Sequence, residues 1–96
     1  MKLIDFMEIC KTNDIAAVAE AMGSAWGLDA ATAMASAQQW VPNFRGFMAE
    51  GALMGLYGDV QKGEDEKATA TLTDYYKLDA AAAAIALAAI RSSFDS

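Results

Sequence analysis

Ninety-six residues with 13 acidic and 7 basic side chains, no histidine and one cysteine leave room for a single domain spanning 1–96. Without histidine there is no His-ligated metal, no Ser-His-Asp or Cys-His relay and no imidazole acid–base catalyst. A formal charge of −6 disfavours direct nucleic-acid binding, which needs clustered Lys and Arg, and favours approach to basic surfaces.

Alanine supplies 22 residues and proline one, a composition that points to an all-α chain. Leu3, Phe6, Met7 and Cys10 recur at i, i+3, i+4, i+7, which predicts a first helix over about Leu3–Lys11 with Cys10 as a buried structural thiol. The lone cysteine fits a reducing cytosol. Acids interrupt Met1–Glu8, unlike a signal peptide. The longest apolar run, Ala80–Ile90, falls short of the roughly 20 residues that span a bilayer. A cytoplasmic, membrane-free protein is expected.

Thr12-Asn13-Asp14 restarts the chain with Asn13 as N-cap. Ile15, Val18, Met22 and Trp26 form the inward face of a second helix that Gly27 stops in the left-handed region. Asp29 reads as the next N-cap, with Ala30, Met34, Ala37 and Val41 inward. Trp40-Val41-Pro42-Asn43 is a corner, because proline lacks the donor that a helix interior needs.

The stretch of about 44–61 carries two apolar stripes, one with Phe44, Phe47, Met48, Gly51, Met54 and Gly55 and the other with Leu53, Leu56, Tyr57 and Val60. A helix apolar on both sides is buried on both sides. This Gly-rich segment is therefore expected as the central helix of a compact bundle of five or six short helices. Its glycines would form a groove where another backbone, the alanine-rich last helix, approaches closely. Met7, Met22, Met34, Met48 and Met54 all fall on inward stripes and read as core filling.

Lys62–Lys67, together with Gly58-Asp59, reads as a charged surface loop. Ala68, Leu72, Tyr75 and Tyr76 fit a short helix, although the alternating threonines also suit an extended strand. Asp79 repeats the Leu-Asp-Ala-Ala capping grammar of Asp29 and opens the last helix. That helix has Ala83, Leu87, Ile90 and Phe94 on one side and Ala81, Ile85, Ala88 and Ala89 on the other.

Motifs for chemistry fail on inspection. Gly51-xxx-Gly55-xx-Gly58 lacks the Lys-Ser/Thr of a phosphate loop. The Asp59–Glu66 segment lacks calcium-loop spacing, with Gln61 and Gly63 at the third and fifth positions counted from Asp59 and Ala70 at the twelfth. No metal or cofactor and no enzymatic activity are expected. What remains is contact. Asp59, Glu64, Asp65 and Glu66 offer an acidic patch that does little for folding and can steer a basic partner. Trp40, Tyr57, Tyr75 and Tyr76 fall off or at the edge of their stripes, where a protein interface would use them.

The chain, from Met1-Lys2-Leu3-Ile4-Asp5-Phe6-Met7-Glu8 through Ala21-Met22-Gly23-Ser24-Ala25-Trp26-Gly27-Leu28-Asp29, resembles small phage-encoded anti-CRISPR proteins, in particular type I-F inhibitors. The resemblance rests on size, acidity and overall sequence and transfers no site residue. It implies a stoichiometric inhibitor in the bacterial cytoplasm that binds the crRNA-guided surveillance complex and blocks target DNA recognition or nuclease recruitment. A monomer is expected. The alternative is a small structural or adaptor protein that acts by self-association or partner binding.

Overall fold

The computed structural model describes residues 2–43 and 46–94; the side chains of 46–49 lie outside that description. Among the described residues the chain forms α1 (Leu3–Cys10), α2 (Ile15–Trp26), α3 (Ala30–Trp40), α4 (Gly46–Lys62), α5 (Asp65–Asp74) and α6 (Ala80–Phe94), with no strand. Pro42 lies within a 3₁₀ turn, Val41–Asn43, that ends α3. The all-α bundle follows from the alanine content, and residues 68–74 are helical rather than extended.

Local chemistry places most helix ends. Asp14, not Asn13, caps α2: its carboxylate accepts from the Ala17 N–H at 3.2 Å. Asn13 instead takes the left-handed turn at φ 57°, a conformation that its short polar side chain tolerates. Gly27 closes α2 at φ 70°, its N–H donating to the Gly23 carbonyl. Asp29 then accepts from Thr32 N–H at 2.7 Å, and this bond holds its carboxyl below the usual carboxylate range. The second Leu-Asp pair repeats the geometry. Lys77 is left-handed at φ 59°, Leu78 is buried, and Asp79 accepts from Ala82 N–H at 2.8 Å.

The hub of the bundle is α2, which packs against α1, α3 and α6. Its Trp26 stacks on Phe6 with ring centroids 5.2 Å apart and meets the edge of Tyr76 at 5.0 Å. Trp40 meets Tyr76 from the α3 side at 4.9 Å. Buried alanines, among them Ala33, Ala37, Ala83 and Ala86, let the backbones close around these rings. The aromatics supply the apolar area that methyl groups cannot. Ser36, buried on α3, donates to the Tyr76 carbonyl and so satisfies the turn after α5.

Several expectations are corrected here. The helix over 46–62 is not central. It buries Leu53, Leu56, Tyr57 and Val60, while Gly51, Met54 and Gly55 face outward. A Cβ built on Gly51, Gly55 or Gly58 would meet nothing within 4 Å, so there is no close helix crossing there. Phe44 and the side chains of Phe47 and Met48 lie outside the description.

The α6 face expected over those glycines, Ala81, Ile85, Ala88 and Ala89, is exposed or half-buried, and α6 buries Ala82, Ala83, Ala86 and Ile90 instead. On α3 the inward residues are Ala33, Ser36, Ala37 and Trp40, with Ala30 exposed and Met34 half-buried. The Trp40 ring sets the rotation of that helix. Of the methionines assigned to the core, Met22 is buried, Met7 is half-buried like Met34, and Met54 is exposed. The charged run is not a loop, because Asp65, Glu66 and Lys67 already belong to α5 and only Gly63-Glu64 turns.

Candidate interaction surface

Three of the aromatics assigned to partner contact are core residues: Trp40 is 3% exposed, Tyr57 8% and Tyr76 1%. Tyr57 lies on the inward stripe of α4, where its hydroxyl accepts from Trp26 Nε1 at 3.1 Å. Burial pushes its phenol up, partly offset by the indole hydrogen bond. Tyr76 follows the end of α5, so a helical projection does not apply to it, and burial carries its phenol well up as well. Cys10 is buried as expected, its thiol pushed up from 9.0 to about 12 by desolvation, so it is not a reactive thiolate at neutral pH.

The acidic residues are exposed or half-buried but only partly free. Asp65 pairs with Arg91, tying α5 to α6. Glu64 lies 3.5 Å from Lys67. Asp65 and Glu66 occupy the first turn of α5, where negative charge complements the helix dipole. Two of them, Glu64 and Asp65, thus have partners within the chain.

Asp59 is placed differently. It lines an open groove of about 360 Å³ between α4 and α5, together with Gly51, Gly55, Asp74 and the half-buried Tyr75. Of the residues singled out from the sequence, the structure brings Asp59 and Tyr75 together there. The remaining acids lie apart from this groove.

The other edge of α4 carries the feature that sequence reasoning missed. Met54, 57% exposed, and Ile4 of α1, 64% exposed, line a second groove of about 420 Å³ with Leu3 and Met7. Lys11, which follows α1, bridges to Glu50 of α4 at 3.1 Å and lies 4.0 Å from Glu8, which raises its pKa. The outward stripe of α4 is Gly51, Met54, Gly55 and Gly58, spaced i, i+3, i+4, i+7. With three glycines it is a low-relief trough on α4; Gly51 and Gly55 line the α4–α5 groove on one edge, and Met54 lines the groove beside α1 on the other. The spacing is legible in the sequence, but nothing local says that the stripe faces out.

Among the described residues no group of three or more Cys, Asp or Glu side chains is placed to hold a metal ion. No described helix is long and apolar enough to cross a membrane. No protein-family model, curated protein or solved structure matches the chain.

Proposed function

We propose that the chain is a non-enzymatic inhibitor that acts by binding, and that its target is a crRNA-guided CRISPR surveillance complex in the bacterial cytoplasm. On that complex it blocks target DNA recognition or nuclease recruitment. The target is supplied by the resemblance to type I-F anti-CRISPR proteins. Binding as the mode of action is supported by one observation, the outward α1–α4 face with Ile4 and Met54 more than half exposed. Large apolar side chains left in water side by side are costly unless a partner covers them.

Two measurements test the reading. Co-expression with a type I-F system should restore plaquing of a targeted phage, and the purified chain should co-elute with the surveillance complex. Failure of both refutes the assignment.

Self-association is the second reading, and α6 gives it an observation of its own. Ala81, Ala84, Ile85 and Ala88 make an exposed apolar strip on that helix. Light scattering on the isolated protein separates the two, since a monomer that binds the complex leaves the α6 strip without that role.

A further inference from the structure

The occupant of the α1–α4 face follows from its charge and shape, given the reading that this chain is a binding protein. We infer that the face receives a cationic amphipathic helix of a partner protein. Ile4, Met7 and Met54 form the apolar contact, which anchors an amphipathic helix in the groove through residues one turn apart.

The rim selects the charge. Lys11 is already engaged by Glu50 and Glu8. Across the trough, Asp59 and Asp74 face the α4–α5 groove with no ion pair among the described residues. Basic side chains on the polar flank of an incoming helix reach these two carboxylates while its apolar flank covers Met54. A second copy of this chain is disfavoured on the same ground, because each carries −6 and like charges at an interface repel. Low relief at Gly51 and Gly55, where no atom lies within 4 Å of a built Cβ, lets the incoming backbone lie close to α4.

The test titrates the full isotope-labelled chain with two synthetic helical peptides that share leucines at i, i+3, i+4 and i+7. One carries lysine at every polar position and the other glutamate. The lysine peptide should bind saturably and shift the amide signals of Ile4, Met7, Met54, Asp59 and Asp74, leaving Asp14 and Glu20, at the cap and in the body of α2, unmoved. The glutamate peptide should not bind.

Gly55→Leu fills the trough over open space, so it keeps the fold and should weaken the lysine peptide at least tenfold. Met54→Gln, which removes the apolar contact without adding charge, should do the same. Equal binding of both peptides, shifts spread over all the acids, no binding, or a Gly55→Leu protein that binds like the parent each overturn the inference. So does a dimer that buries Met54. A chain that fails these peptide tests yet still co-elutes with the surveillance complex loses the helix-docking inference alone. A chain that passes them and does not co-elute loses the target assignment alone.

Discussion

Replacing Gly51, Gly55 and Gly58 together with alanine should stabilise the protein. Each lies inside α4, and a Cβ at each meets no atom within 4 Å, so the folded state accepts three methyl groups without a clash. The gain comes from the unfolded chain, which has fewer conformations to lose once glycine is gone. It is about 0.4–1 kcal/mol per site, or about 1–3 kcal/mol for the triple variant. For a domain of this length that corresponds to a rise in Tm of about 5–15 °C. Urea titration followed by far-UV circular dichroism should show a higher midpoint with an unchanged slope, the signature of a stability change rather than a change in the denatured state. A triple variant that melts at or below the parent would refute the open placement of this helix face and return α4 to the middle of the bundle.

Tyr57→Phe removes the acceptor of the buried Trp26 indole N–H and should cost about 1–3 kcal/mol, measured by denaturant unfolding with tryptophan emission as the probe. Alkaline pH should unfold the protein through Cys10. Its folded thiol is raised to about 12, so above pH 9 the unfolded chain loses a proton that the native state keeps, and stability falls by at most about 1.4 kcal/mol per pH unit. Tyr57 and Tyr76, also raised by burial, steepen the fall at higher pH. Melts at pH 8, 9 and 10 should show a shallower decline between pH 9 and 10 in Cys10→Ala. Changing Glu64, Asp65 and Glu66 to lysine places positive charge at the start of α5 and breaks the Arg91 pair. The cost should be about 1–3 kcal/mol, smaller in high salt, where the sequence alone suggested an indifferent loop. An unchanged melt would show that these carboxylates have no part in the fold.

Helix ends were largely legible because their chemistry is local. Gly27, Asp29 and Asp79 act on backbone groups a few residues away, and Val18, Met22 and Trp26 project inward as their spacing demands. Rotation about the helix axis was harder to read. In α6 the small apolar residues run all the way round, so periodicity holds almost no information on which side is buried. In α4 a glycine stripe fits a tight crossing and an open surface equally well, and only the neighbours decide between them. Tyr76 was misplaced because it lies beyond the last residue of α5 and reaches the core by a turn rather than along a helix face. The Ile4–Met54 surface depends on two segments fifty positions apart being brought alongside one another, which no local pattern encodes.

The dependence of α2 on α6 has a consequence for biosynthesis. Trp26 is capped by Tyr76, Ser36 needs the Tyr76 carbonyl, and α2 packs against a helix that ends at Phe94. Bacterial and eukaryotic ribosomes add about 5–20 residues per second. A nascent chain that has released α3 therefore waits several seconds with Trp26 and Trp40 lacking their contacts to Tyr76 before the last helix emerges. Over that interval the first three helices present a sticky, half-built core to the cell, and binding by a chaperone near the exit tunnel competes with premature association. Yield on expression should accordingly respond more to elongation speed and chaperone supply than the stability of the finished protein suggests.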